Sequence, residues 1–461
     1  MATSIGTQTK KFLAERIRKN RKRLWEWQLE HARKTPPPFY CSVDLRDSGH
    51  KIVPVDSNLF PAGFNNICPD DQRTSPPIFR ANIEAMLSRL GKPSPERVLI
   101  VPESHTSNVF YIENLYYLTQ IVREAGFDVR IGWYGEVPAG VATPIQLKSA
   151  TGKELEAHPI RREGARIELD GFVPDLILLN NDFSSGYPKI FDCVDQPVVP
   201  SHTLGWHTRK KSEHFKHYNR LAAEFAEIID VDPWLLQIDT EEVDHVNFGE
   251  DLGVEEVAQS VERVITRTQA AYDRHKIDRK PFVFVKNNAG TYGMGIMVVH
   301  SADELRKMNR RTKNKMSVGK NKMQISSVAV QEGVPTATLI DRLAAEPVIY
   351  LVGYEVIGGF LRTNTERTDE DNLNSQGMVF RKLCMSDLKR PSLEDEEAIA
   401  AYLAVHPEGA TLNPKTEDPE DPSYEEPVLE LVYGSIARIS ALATGAELAA
   451  TNKQICDSKS S

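Results

Sequence analysis

The chain has 461 residues and a formal net charge of −9, with 40% apolar and 26% charged residues. That balance belongs to a globular protein with room for two or three packed cores, and the acidic excess argues against nucleic acid as a partner of the whole chain. No apolar run approaches the roughly 20 residues of a membrane span, and the basic amino terminus lacks the apolar core of a secretion signal.

Five cysteines (Cys41, Cys68, Cys193, Cys384 and Cys456) are scattered without a Cys-x-x-Cys pair. That usage favours reduced thiols in a cytoplasm over a disulfide framework or a zinc site.

Residues 8–34 carry many Lys and Arg interleaved with Phe12, Leu13, Ile17, Leu24, Trp25 and Trp27. The pattern predicts one basic amphipathic helix, closed by Pro36-Pro37-Pro38. Such a helix packs on the body or on a subunit partner, or else touches a membrane surface or RNA. We treat 1–40 as this helix and its proline linker. Residues 41–70 open with two short strands, around Val43 and Ile52–Val55, joined by an Asp-Ser-Gly turn.

From Arg97 to Ile131 a strand, a polar loop, a helix and a strand follow in order, which is a βαβ unit and implies a parallel sheet. Residues 175–188 repeat the buried strand with a polar, glycine-containing end. Loops at the carboxyl ends of parallel strands are where α/β domains bind small ligands. The candidates there are Ser104, His105, Asn108, Asn180, Asn181 and Ser184, which offer hydrogen bonds suited to an amino acid. Arg209 and Lys211 stand at the start of a predicted helix, where cations would attract a carboxylate or phosphate. Residues 71–235 are therefore assigned to an α/β substrate domain.

Residues 236–461 are assigned to nucleotide binding. A helical pattern over 253–275 precedes KPFVFVKNNAGTYGMGIMVV at 280–299. Two β-rich runs flank Lys286 and a loop with Gly290, Thr291, Tyr292, Gly293 and Gly295. Glycines let backbone N–H groups approach phosphate oxygens, and the lysine supplies a mobile charge. It is not a Walker loop, because no Gly-Lys-Ser/Thr follows and the exit reads as strand. Strands at 327–334 and a hairpin at 347–362 come next, then a polar segment containing Asn372. Residues 406–427, rich in Pro, Glu and Asp, read as an exposed loop, and a small-residue helix spans 433–450.

A lysine strand, a glycine loop, Gln331-Glu332-Gly333-Val334, and Asn372-Leu-Asn-Ser-Gln-Gly377 follow in the order seen in ATP-grasp ligases, which this region resembles. The resemblance implies ATP, with Gln331, Glu332 and Val334 on the adenine side and Lys286 on phosphate; Asp341 is placed near the ribose. These ligases normally continue with a Val-Asp strand and an acidic-x-Asn strand that hold Mg²⁺, and nothing after Gly377 supplies that pair. It occurs instead near the amino terminus, as Val43-Asp44 and Asp56-Ser57-Asn58. Period two puts Asp56 and Asn58 on one face of a strand, so their oxygens reach the same metal, while Asp44 comes from the paired strand. The expected fold is α/β, a circularly permuted ATP-grasp, as in eukaryotic-type glutathione synthetases.

Across nearly its whole length the sequence is similar to the proteobacterial type of glutamate–cysteine ligase. SVDLRDSGHKIVPVDSNLFPAGFNN, VPESHTSN, LLNNDFSSG, GWHTRKKSEHF and KNNAGTYGMGIM carry the likeness. It implies ATP-dependent joining of the γ-carboxylate of L-glutamate to the amine of L-cysteine through an acyl phosphate, the first step of glutathione synthesis. Lys286 and Arg362 would carry the catalysis, Asn372 the polar wall, and the 290–295 loop a lid against water. Small-molecule substrates, no nucleic acid and no membrane are expected, and self-association is left open. Two other readings stand beside it: another ATP-grasp amide ligase, and a nucleotide-binding regulatory protein without turnover.

Overall fold

Side-chain alternation along the strand Tyr40–Asp47 sets the centre of the molecule. Cys41, Val43 and Leu45 enter one core, Tyr40 enters another, and Ser42, Asp44 and Arg46 share the face of Tyr40. The computed structural model describes residues 5–104, 108–137, 140–184, 186–289, 295–317, 325–384 and 430–459. All eight residues of this strand are buried, which fits a position between two packed layers. It pairs antiparallel with Ile52–Asn58 on one side and Leu343–Val352 on the other. Glu355–Asn364 and Met378–Leu383 continue the same sheet. The amino-terminal hairpin and the carboxyl-terminal hairpin are thus one hydrogen-bonded surface.

One face of this central sheet is covered by the helices Lys211–Ile229 and Ser435–Lys459. Phe215, Leu221, Phe225 and Ile229 recur at helical spacing and meet Ile436, Ile439 and Leu442, all buried. Each such side chain contributes about 1.5–3 kcal/mol on burial. The basic amino terminus also packs here. It forms two helices, Ile5–Lys19 and Arg21–Lys34, where one is predicted. The break falls at Asn20, with φ −112° and ψ 18°, whose Nδ2 donates to the Arg16 carbonyl at 3.0 Å; asparagine competes with the helical backbone in this way. Leu13, Ala14, Ile17 and Leu24 are buried, so the helices lie on the body of the protein.

A second sheet runs Val198–Val199, Leu176–Asn180, Arg97–Pro102, Asp128–Trp133, Glu154–Pro159, Ile145–Lys148. Its first four junctions are parallel and the last is antiparallel. Both faces of its middle strands are covered, which is why RVLIVP and LILLN read as unbroken apolar runs. A third, antiparallel sheet orders Thr240–Asp244, Ser327–Glu332, Val283–Asn287, Ile296–Val299, with the helix Val254–His275 packed on it. The protein is therefore a mixed α/β structure of several sheets.

The cysteines correct the expectation of reduced thiols. Cys68, at the start of the helix Pro69–Arg89, is disulfide-bonded to Cys384, just beyond Met378–Leu383. The two lie 316 positions apart in sequence, a proximity that spacing alone does not show. Cys41 is a buried free thiol and Cys193 an exposed one. Residues 406–427 lie outside the described residues. Among the described residues, no helix is long and apolar enough to cross a membrane.

Candidate active site

Strands of the third sheet and of the central sheet together line a cleft that opens to solvent. Asp44, Asp56, Lys211, Lys286, Arg362 and Asn372 are among its lining residues. Register explains the acidic side. Asp44 pairs directly with Asp56 across the hairpin, with an irregularity in the ladder immediately after Asp44, and Glu346 pairs with Arg362 across the next hairpin. Period two aligns all four toward the cleft.

Arg362 Nη1 donates to Asp44 Oδ2 and to Glu346 Oε1, each at 2.6 Å. Arg46 Nε donates to the other oxygen of Glu346 at 2.8 Å, and its Nη1 and Nη2 reach the carbonyls of Asp369 and Asp371 at 2.9 and 2.6 Å. That fork holds the segment bearing Asn372 against the sheet. On the opposite wall, Lys286 Nζ donates to Gln331 Oε1 at 2.7 Å and to the Val55 carbonyl at 3.0 Å. The last contact spans 231 positions of sequence. Lys211 Nζ meets Asp56 Oδ1 at 2.5 Å.

Burial shifts these groups in opposite senses. It pushes the Asp44 carboxyl up to about 6, with Asp56 and Glu346 adding to the effect against the pull of Arg362. It pushes the Lys286 ammonium down to about 8. At Asp56 burial works upward too, but Lys211, then Lys286 and Arg209, hold the carboxyl below its usual value. The cleft is an array of four cations and three carboxylates, suited to an oligophosphate with a dication.

A family model for glutamate–cysteine ligase matches residues 14–448. The chain belongs to that family. It is an ATP-dependent ligase of glutathione biosynthesis, joining glutamate to cysteine. The ligase is similar to a crystal structure of a candidate gamma-glutamylcysteine synthetase from Methylobacillus flagellatus KT. The two are 36% identical over 98% of each chain, with a TM-score of 0.81. A glutathione synthetase-like effector from Globodera pallida aligns at 12% identity over 82% of this chain and 85% of that one, with a TM-score of 0.35, and nothing is drawn from it. No curated protein matches.

The structure brings Asp44, Asp56, Lys286, Arg362, Asn372 and Lys211 of the ligase into one cleft. Gly290, Thr291, Tyr292 and Gly293 lie outside the described residues, as does His105. Gly295 has φ +63°, its carbonyl accepts from the Asn287 N–H at 2.8 Å, and a Cβ there would stand 2.6 Å from Ile325. A side chain there would be strained and would displace the end of Ile325, which favours glycine. Gln331 orients Lys286 rather than pointing away from it. Both oxygens of Glu332 accept from Lys51 Nζ at 2.9 Å, so its side chain is engaged in a buried ion pair. Val334 is buried in the core around the central sheet. Asn372 accepts from the Asn374 N–H at 3.0 Å.

The strand-end candidates of the second sheet are held by internal bonds. Asn180 is buried and bonds the Pro61 carbonyl, Tyr40, Tyr111 and Asn114. Asn181 donates to the Pro102 carbonyl at 3.0 Å, and Asn108 caps the helix Val109–Glu124. Ser104 donates to the Tyr134 carbonyl, and the Ser184 N–H donates to Asp182. Arg209 is clasped by Glu447 at 2.9 Å and bonds the Ser57 carbonyl at 2.7 Å, tying the carboxyl-terminal helix to the strand Ile52–Asn58.

Arg46, Lys51, Glu346 and Glu447 are absent from the sequence reading of the site. Arg46 and Glu346 carried a usable signal, since each lies in phase with a predicted residue: Arg46 two positions after Asp44, and Glu346 on the even face of LAAEPVIYLV. Lys51 and Glu447 carried none, because their partners come from distant segments.

The residues fit a hard dication. Asp44 Oδ1 is buried and has no hydrogen-bond partner among the described residues, and Asp56 stands directly opposite; Asn58 follows two positions along but does not line the cleft. Two carboxylates and an amide do not make a cluster of three titratable ligands, and none occurs among the described residues. Such a set leaves positions for phosphate oxygens and water, as Mg²⁺ sites require.

Proposed function

We propose that the cleft between the central and third sheets is where the ligase binds ATP and transfers its γ-phosphoryl group to the γ-carboxylate of L-glutamate. One observation carries this reading: Lys286 and the Asp44–Asp56 pair, from distant segments of the chain, line a single cleft. A carboxylate is a poor electrophile, and its oxygen attacks phosphorus to give an acyl phosphate. The amine of L-cysteine then displaces phosphate. Such transfer depends on positioning and charge stabilisation more than on proton relay. Lys286, fixed by Gln331 and Val55, presents its ammonium to the phosphates. Arg362, held by Asp44 and Glu346, keeps its remaining donors for the migrating group, and its Nε is buried without a partner among the described residues. The Glu332 and Gly333 N–H groups are taken by the Asp239 and Phe282 carbonyls, so the Gln331–Val334 segment would border the adenine without those donors, and Asn372 closes the polar wall. Asp44, Asp56 and Asn58 would hold Mg²⁺, which supplies charge neutralisation on the phosphates.

On this reading the chain is a circularly permuted ATP-grasp. Pairing of Tyr40–Asp47 with Leu343–Val352 supports it, since the amino-terminal hairpin extends the carboxyl-terminal sheet. Residues 71–235 then present the amino acids from the parallel sheet. The test is phosphate release by the purified protein with ATP, Mg²⁺ and glutamate, comparing cysteine with other amines. Release equal to γ-glutamylcysteine formed is expected with cysteine. Release without peptide, or equal rates with unrelated amines, would overturn the assignment.

A further inference from the structure

Lys211 is placed unlike Arg362 and Lys286, and unlike Arg46, whose single carboxylate Glu346 is itself buried. Arg362 is shared by two carboxylates, Asp44 and Glu346, and all three are buried. Lys286 rests on neutral oxygens. Lys211 holds a single carboxylate, Asp56, whose side chain is 25% exposed toward the cleft. Its ammonium also lies 4.4 Å over the ring of Trp206, a cation–π contact that persists if the carboxylate is taken away. Lys211 is the first residue of the helix Lys211–Ile229, where a positive charge opposes the helix dipole and gains nothing from its own backbone. Its root is nevertheless fixed. The Lys211 N–H donates to the Asn288 carbonyl at 2.9 Å, and Ser212 exchanges bonds with the Asn288 side chain at 2.9 and 3.0 Å. The ammonium touches the carboxylate and the ring at once, so with a pinned backbone and a flexible four-carbon arm it can give up the first contact and keep the second without moving its helix.

We propose that Lys211 and the divalent metal compete for Asp56, so that metal binding takes the carboxylate from the ammonium and leaves it held by the Trp206 face alone. This rests on the assignment of Asp44 and Asp56 as metal ligands. The exchange leaves Lys211 free to meet an anionic group of the amino-acid substrate once the metal is in place, ordering metal before substrate.

Titration of the full-length protein with Mn²⁺ in the absence of nucleotide, read by electron paramagnetic resonance, tests the competition. Lys211→Met is expected to bind Mn²⁺ roughly tenfold more tightly than the parent protein. Equal affinities, or no binding to either form, would overturn the proposal. Charge repulsion alone would also tighten binding, so a second readout follows the movement itself. Mg²⁺ is expected to change the tryptophan emission of the parent protein, and this change should vanish in Lys211→Met and in Trp206→Phe. An emission change that survives in both variants refutes the exchange. The Asp44→Ala, Asp56→Ala double variant separates the two levels: Mn²⁺ binding that persists there refutes the metal-ligand assignment itself.

Discussion

Asp44 and Arg362 lie 318 positions apart and meet at 2.6 Å inside the protein, with Glu346 on the same guanidinium nitrogen. Asp44 could not stay buried and charged without that arginine, whereas Glu346 keeps Arg46 at 2.8 Å. Arg362→Ala should therefore do two things. It should lower kcat by about 10²–10³-fold, as loss of a preorganised donor to the transition state does. It should also destabilise the fold by about 3–5 kcal/mol, because the Asp44 carboxyl is left buried without its cation. Steady-state kinetics and urea unfolding measure these separately. A stable variant with unchanged kcat would remove Arg362 from the site.

Lys286 gives a pH prediction. Its ordinary value of 10.5 is lowered to about 8 by burial. The phosphate role needs the cation, so kcat/KM for ATP should fall as pH rises through about 8. Lys286→Arg should shift that limb to higher pH, because guanidinium stays protonated. The stability sign is opposite. Between about 8 and 10.5 the unfolded chain binds the proton and the folded one does not, so this group favours folding increasingly as pH rises across that window. A kcat/KM profile flat to pH 9.5 would contradict the assignment.

Glu447 reports on the tie between the carboxyl-terminal helix and the strand Ile52–Asn58. Burial raises its pKa, but Arg209 and then His214 outweigh this and bring it from 4.5 to about 2. A depressed carboxyl contributes stability above its unfolded value and loses it as pH falls toward the folded one. Glu447→Gln should flatten the acid destabilisation between about 4.5 and 2, an effect on the order of 3 kcal/mol. Unfolding midpoints against pH for the two proteins provide the measurement.

The Lys51–Glu332 pair joins the turn of the amino-terminal hairpin to the strand Ser327–Glu332, with both side chains only 2% exposed. Lys51→Met should destabilise the protein by about 3–5 kcal/mol and raise KM for ATP. The double replacement Lys51→Met, Glu332→Leu should regain much of the stability, because no charge is then left buried alone. Equal stability of single and double variants would show that the pair is not coupled.

The Cys68–Cys384 bond is checked by counting thiols. Five cysteines less the two in the bond leave three. Protein unfolded without reductant should therefore titrate three thiols, and five after reduction. Five in both conditions would mean the bond does not form.

Much of this fold was legible in order and type. The βαβ unit from Arg97, the helix Val254–His275 and the hairpin turning at Gly353 follow from apolar periodicity, which depends on neighbours along the chain. The pairing of Asp44 with Asp56 was also within reach, because a short hairpin and period two fix which side chains share a face. The sequence by itself determined which residues could serve phosphate and metal, since chemistry and local spacing select them. Only the tertiary structure decided what each one touches. Lys286 on Val55, Arg362 on Asp44, Lys51 on Glu332 and Cys68 on Cys384 all join segments more than two hundred positions apart. Such pairings are set by how whole sheets stack, a property of packing that no local pattern encodes. The same packing engaged Asn180 and Glu332 internally, so that polar residues read as ligand contacts became parts of the frame.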